Sequence, residues 1–120
     1  MSTRTRTRRG SMWLALLVVL AVLAMLTPAS AAPGYVVAPP GATVAGYLPK
    51  PVVLQKGNAL KFLNLDTAPH DVRSTSGLFY SPVITIGKQK PVWGANLLKK
   101  GTYAFYCSIH PNMKGSLRVI

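Results

Sequence analysis

Glycine and proline interrupt the chain so often after residue 32 that no regular element there can be long. The 120 residues include ten glycines and ten prolines, scattered without a repeating period, which excludes a collagen-like chain. The segments between them are short, apolar and rich in β-branched side chains. Such runs, bounded by turn residues, are typical of β-strands. We therefore predict an all-β domain, built as a sandwich or barrel.

The predicted strands follow one another between these turns. They cover residues 35–37, 43–48, 52–54, 59–65, a part of 77–86, 102–107 and 115–120. Because side chains alternate across a strand, Leu60, Phe62 and Asn64 should share one face. Leu117 and Val119 should point inward in the last strand. No part of residues 32–120 has a convincing helical period.

The N-terminus has the three parts of a secretory signal peptide. A basic head contains four arginines, an unbroken apolar run of 15 residues covers 12–26, and Ala29, Ser30 and Ala31 form a small-residue cleavage pattern after Pro28. We predict a signal helix in residues 1–31, followed by one domain over 32–120. The protein should then be exported, to a periplasm, the cell envelope or the extracellular space. The alternative is an uncleaved membrane anchor, although the apolar run is shorter than the roughly 20 residues that span a bilayer.

Charge and cysteine content narrow the function classes. The formal charge is +12, and removal of the four leader arginines leaves ten cationic residues against two acids, about +8. Such a charge favours acidic partners and speeds association with them. The lysines are dispersed rather than in a dense run, which argues against nucleic acid in an exported protein. The single cysteine, Cys107, cannot form an intramolecular disulfide.

The chemistry-bearing residues lie near the C-terminus. Cys107, His110 and Met113 occur in the segment C-S-I-H-P-N-M, and Pro111 disfavours a regular helix there. Soft sulfur ligands with imidazole select copper, and two histidines with one cysteine and a weak axial methionine form an electron-transfer site. The second histidine would be His70, which follows a predicted strand end. A zinc site would need harder or more numerous ligands and no methionine. A Cys–His hydrolase would need an orienting acid or amide, which is not evident.

These segments resemble the cupredoxins. K-G-N-A-L-K-F-L-N-L-D-T-A-P-H-D-V is similar to the first-histidine region of that family, and K-K-G-T-Y-A-F-Y-C-S-I-H-P-N-M-K-G-S-L-R-V to its C-terminal ligand loop. The short loop spacing resembles that of the amicyanins and pseudoazurins more than the longer loop of plastocyanins. The resemblance implies a Greek-key β-sandwich and one type 1 copper ion. It also implies the ligands His70, Cys107, His110 and Met113.

The same resemblance implies a function and contains one departure from the family pattern. The implied function is a one-electron carrier that cycles between Cu(II) and Cu(I), with redox proteins as partners, and not an enzyme. We expect a monomer that docks acidic surfaces and meets a membrane only if the signal segment is retained. Copper storage or delivery is the alternative, but three of the four methionines precede residue 32, leaving only Met113 as a thioether donor. The departure is Asp71, where many relatives have asparagine.

Overall fold

The computed structural model describes residues 32–120, and the predicted signal segment lies outside the described residues. Within that range the chain forms seven short strands, one short helix and one 3-10 turn. In chain order they are β1 (Gly34–Ala38), α1 (Ala42–Ala45), β2 (Val52–Leu54), β3 (Leu60–Asn64), β4 (Arg73–Ser74), β5 (Gln89–Pro91), the 3-10 turn (Ala95–Leu97), β6 (Gly101–Tyr106) and β7 (Lys114–Val119).

The strands form two sheets, which confirms the predicted all-β fold. One sheet has the order β1-β3-β5, and the other has the order β2-β7-β6-β4. The first six strands alternate between the two sheets, and β7 then pairs with β6 in the second sheet. The neighbours β1 and β3 are parallel, as are β2 and β7. The other pairs, β3 with β5, β4 with β6 and β6 with β7, are antiparallel. Such crossing connections distinguish this sandwich from a simple meander.

Alternation of side chains fills the space between the sheets. Leu60, Phe62 and Asn64 are all buried, as their shared face requires, and so are Leu117 and Val119. Four aromatic rings form the centre of the core, with edge-to-face contacts at centroid separations of 4.8 to 6.2 Å: Tyr47, Phe62, Phe79 and Phe105. This geometry adds about 0.5–1.5 kcal/mol per pair beyond the burial of area.

Two strand predictions were wrong. Residues 43–48 do not form a strand, because α1 occupies part of that segment. Gly41 and Gly46 flank the helix with φ angles of 76° and 77°, a left-handed backbone that glycine adopts without strain. Residues 77–86 make only isolated bridges, through Tyr80 and Ile84, and Pro82 lies between them. Proline donates no backbone hydrogen bond, so it interrupts a ladder.

Two strands were not predicted from the sequence because they lack an apolar pattern. β4 has only two residues, and all three residues of β5 are exposed at a sheet edge. Among the described residues, no helix is long and apolar enough to cross a bilayer.

The β6–β7 hairpin prepares the functional loop. Its register runs from Gly101 opposite Val119 to Tyr106 opposite Lys114. Residues 107–113 therefore leave and re-enter adjacent strands at one end of the sandwich.

The first prediction concerns Gly115, which lies opposite Phe105 on the inward face of β7. A Cβ atom at position 115 would lie 2.3 Å from Phe105 Cζ and 2.4 Å from Cε2. The buried ring has little room to move, so we expect Gly115→Ala to destabilise the fold by about 1–3 kcal/mol. Urea unfolding measures the change. The neighbouring change Ser116→Ala is the control and should stay within about 0.5 kcal/mol. Equal stability of Gly115→Ala and the parent would contradict the packing described here.

Candidate metal centre

His70 is held by both its backbone and its ring. Its N–H and C=O pair with Ile84 at 3.1 and 2.9 Å. Its Nε2 lies 2.6 Å from the Oδ2 atom of Asp66, and both residues are buried. A carboxylate oxygen only accepts hydrogen bonds, so Nε2 carries the hydrogen and Nδ1 keeps its lone pair. The contact thus fixes the tautomer that leaves Nδ1 free to bind a metal.

The turn that carries Asp66 is braced by Asn64. The Asn64 side chain donates to the carbonyls of Ala68 at 2.9 Å and Ile84 at 2.8 Å, and accepts the N–H of Asp66 at 2.9 Å. Asp66 also accepts the N–H groups of Gly41 and Thr67. The His70 ring is therefore oriented by a network that begins in the last residue of β3.

The C-terminal loop is closed by its own backbone. The N–H of Cys107 donates to the carbonyl of Met113 at 3.0 Å, and the N–H of Met113 donates to the carbonyl of His110 at 2.8 Å. Cys107 is fully buried, Met113 is 1% exposed and His110 is half-buried. These bonds return Met113 to the side of Cys107 at the ends of β6 and β7.

Three predicted ligand atoms converge on one point. His70 Nδ1 and His110 Nδ1 are 3.2 Å apart, and Cys107 Sγ lies 3.7 Å from the first and 3.9 Å from the second. A point equidistant from all three atoms lies about 2.1 Å from each. Metal bonds to imidazole nitrogen and thiolate sulfur are about 2.0–2.3 Å long. The three donors thus form a metal-sized triangle before any rearrangement.

Asp71 connects the two halves of the site. Its Oδ1 accepts the N–H of Ser108 at 2.7 Å, and its Oδ2 lies 2.6 Å from the Ser108 hydroxyl. Ser108 directly follows Cys107, whereas Asp71 directly follows His70. The Tyr47 hydroxyl donates to the backbone carbonyl of Asp71. The carboxylate therefore bonds to the loop as an asparagine could, but adds a buried negative charge.

The electrostatics of the site follow from burial and these contacts. The hydrogen bond from His70 lowers the pKa of Asp66 below its usual range, with further help from the N–H groups of Gly41 and Thr67. The ionised Asp66 carboxylate therefore stabilises the fold at pH values above the ordinary carboxyl pKa. This stabilisation is lost as the pH falls through the lowered pKa of Asp66. Burial raises the pKa of Tyr47 far above its usual range, and nearby Cys107 and Asp71 add to the shift. Tyr47 thus remains a neutral donor.

The residues that converge were predicted from the sequence, but part of the network that supports them was not. His70, Cys107 and His110 come together, with ligand atoms all within 4.8 Å of one another. Met113 lies at the end of the same loop. The roles of Asp66 and Tyr47 were not predicted. An acid four residues before a candidate ligand histidine was the available signal for Asp66, because ligand histidines commonly donate their second N–H to a carboxylate.

Comparison with known families agrees with this geometry. The family described as Cupredoxin-like domain matches residues 14–119. The chain is a cupredoxin. None of the curated proteins compared with it matches.

Similar solved structures include both small cupredoxins and part of an enzyme. A purple cupredoxin from Nitrosopumilus maritimus has a TM-score of 0.61 and 26% identity, over 72% of this chain and 98% of that one. An amicyanin variant in the Cu(I) state has a TM-score of 0.58 and 18% identity, over 77% of this chain and 86% of that one. At this identity the likeness shows the fold alone. A Cu-containing nitrite reductase (NirK) from Thermus scotoductus SA-01 has a TM-score of 0.59 and 26% identity, over 82% of this chain but 26% of that one.

The donor set fits the cofactor of the family. Thiolate and imidazole donors in one cluster suit copper. The cofactor of this cupredoxin is a single copper ion. When bound, copper supplies a couple between Cu(II) and Cu(I).

The second prediction tests the charge of Asp71. Asp71→Asn keeps an acceptor for the Ser108 N–H but removes a fully buried negative charge. In the parent protein that charge stabilises Cu(II) relative to Cu(I). We expect the reduction potential to rise on the order of 50–100 mV, the equivalent of a Coulomb term of about 1–2 kcal/mol. Voltammetry measures the shift. Ser108→Ala is the control for the loop bonds, because it removes one bond without changing the charge. An unchanged or lowered potential in Asp71→Asn would show that the carboxylate does not act by charge.

Proposed function

We propose that this cupredoxin is an exported one-electron carrier whose copper is bound by His70, Cys107, His110 and Met113. The observation that supports it most directly is the convergence of three donor atoms in a site where His70 and Cys107 have no exposed surface. Donors fixed by the fold need little rearrangement when the oxidation state changes. Burial also leaves a substrate little access to the metal, which favours electron transfer over catalysis.

Each ligand residue has a distinct part in this proposal. Cys107 binds as a thiolate, which requires loss of its proton to solvent or buffer on metal binding. His70 and His110 bind through Nδ1. Met113 would be the weak axial ligand, since a thioether is the poorest donor of the set. The half-buried ring of His110 offers the shortest way from the site to solvent, so we assign it as the electron exit.

Copper storage or delivery is less well supported. A protein that hands over its metal needs ligands that can leave, but here His70 is paired at both backbone and ring, and Cys107 is fully buried. Nitrite reduction is likewise not transferred from the enzyme neighbour, because this chain corresponds to 26% of that protein. The proposal is thus a carrier and not an enzyme.

Export and partner type complete the proposal. Residues 1–31 would act as the signal peptide and residues 32–120 as the mature domain. Asp66 and Asp71 are the only acids of the chain, and they are 6% and 0% exposed, so no acidic side chain lies on the surface. A cationic exterior favours redox partners with acidic docking surfaces. It also disfavours self-association, which supports a monomer.

The third prediction separates the two sulfur ligands. The copper-loaded protein should show an intense visible thiolate-to-copper absorption. Cys107→Ser should abolish this absorption, because serine cannot supply a thiolate. Met113→Leu should keep both the copper and the absorption while raising the reduction potential. A colourless Cu(II) form of the parent protein, or loss of copper in Met113→Leu, would contradict the proposed assignment.

The fourth prediction concerns the N-terminus. If residues 29–31 form the cleavage pattern, intact-mass analysis of the protein recovered from the producing cells should give a chain that begins near Ala32. The control Ala31→Trp places a bulky side chain at the cleavage position and should retain the leader. A parent protein that keeps residues 1–31 would favour a membrane anchor.

A further inference from the structure

The flank of the sandwich carries exposed apolar residues that neither the core nor the copper site uses. We call Leu78, Tyr80, Trp93 and Leu97 the flank patch; they are 57%, 46%, 49% and 82% exposed. The Tyr80 and Trp93 rings meet edge to face at 5.2 Å. Leu78 and Leu97 line one groove of about 440 Å³, together with Lys99 and Tyr103. Exposed apolar surface of this kind marks interaction sites when it is contiguous.

The flank patch is held rigid by backbone contacts. Tyr80 and Trp93 exchange hydrogen bonds of 3.1 and 2.8 Å through their N–H and C=O groups. Gly94 has φ 88°, and a Cβ atom there would lie 2.3 Å from the carbonyl oxygen of Leu78. The segment of Leu78 therefore packs directly on the turn after Trp93. A preformed surface loses little conformational entropy when a partner binds.

Arg73 connects this patch to the metal centre. Its guanidinium lies 5.7 Å from the centroid of the Tyr80 ring, and its Nε lies 3.3 Å from Asp71 Oδ2. Asp71 in turn binds Ser108, the residue after Cys107. A continuous series of contacts thus leads from the exposed ring of Trp93 through Tyr80, Arg73 and Asp71 to the ligand loop.

We propose that the flank patch is a second docking surface, separate from the face at His110, for a redox protein with an acidic surface; this inference rests on the proposed function. Tryptophan, tyrosine and arginine are the residue types that dominate binding energy at protein interfaces, and all three are adjacent here. The half-exposed Arg73 and Lys99 lie at the patch, and the chain exposes no acidic side chain. A carrier with two surfaces can meet its donor and its acceptor at different places.

The charge pattern selects the occupant. A symmetric contact between two copies would place Arg73 and Lys99 against cationic surface, with no carboxylate side chain to pair with them. A partner that presents carboxylates around an apolar centre satisfies both parts of the patch. In the transfer that docking would serve, the partner's reduced centre loses one electron and the copper centre gains it, with no bond made or broken.

The test uses cytochrome b5, an acidic haem protein, as the probe. With both proteins reduced, Cu(I) and low-spin Fe(II) are diamagnetic and no net electron flows, so amide NMR shifts report docking alone. We expect shifts in residues 73–80 and 93–99. Trp93→Ala should weaken the dissociation constant about tenfold or more. Shifts confined to residues 108–112, or concentration-dependent dimerisation of the parent protein through the patch, would overturn the proposal.

Matched charge changes keep the test valid if Trp93→Ala does not fold. Leu97→Asp adds an acid to the patch, whereas Val44→Asp adds the same charge on α1 at a residue that is 95% exposed. Both reduce general steering alike, but only Leu97→Asp should weaken binding by a further several-fold. Equal weakening by the two variants would overturn the proposal. If parent and variants keep a reversible copper couple while cytochrome b5 does not bind, the docking surface is wrong and the electron carrier stands; absence of the couple would instead refute the proposed function.

Discussion

The hydrogen bonds from Ser108 to Asp71 are the contacts on which the metal centre most depends. His70 and Cys107 are 37 residues apart and belong to different parts of the sandwich. Because Asp71 follows the first and Ser108 follows the second, bonds of 2.7 and 2.6 Å between them hold the two donor atoms in register. Tyr47 adds a third element by donating to the Asp71 carbonyl. The site is thus tied to the body of the fold independently of the metal.

The distribution of charge affects both the metal centre and the protein surface. Both acids of the chain are buried beside the metal centre, where each is satisfied by several donors, and no buried side-chain nitrogen or oxygen within residues 32–120 lacks a partner. A buried carboxylate is tolerated only when it is paired in this way. The negative charge beside the site favours the oxidised metal, while the surface is left with cations alone. The burial of both acids therefore affects the reduction potential and also the choice of partner.

The sequence predicted the fold class and three side chains that converge, but not every strand or supporting contact. A strand such as residues 52–54 can be predicted from the sequence, because its apolar residues alternate between inward and outward positions and turn residues flank it. β5 has no apolar residue facing the core, and β4 is too short to show a period, so only tertiary pairing defines them. A strand was wrongly predicted for residues 43–48 because threonine, valine and tyrosine favour strands, whereas the positive-φ glycines 41 and 46 bound a helical turn. Asp66 was missed because its contact with His70 depends on how Asn64 folds the intervening turn.

The central claim is that one rigid copper site serves both oxidation states. It is tested most directly by cycling the copper-loaded protein between reductant and oxidant in the presence of bathocuproine disulfonate, a strong Cu(I) chelator, and assaying protein-bound copper after each cycle. An electron carrier should return to its full visible absorption and keep one copper ion per chain, with no coloured Cu(I)–chelator complex formed on the time scale of cycling. Stoichiometric transfer of copper to the chelator on the first reduction would contradict the account and identify a protein that delivers its metal.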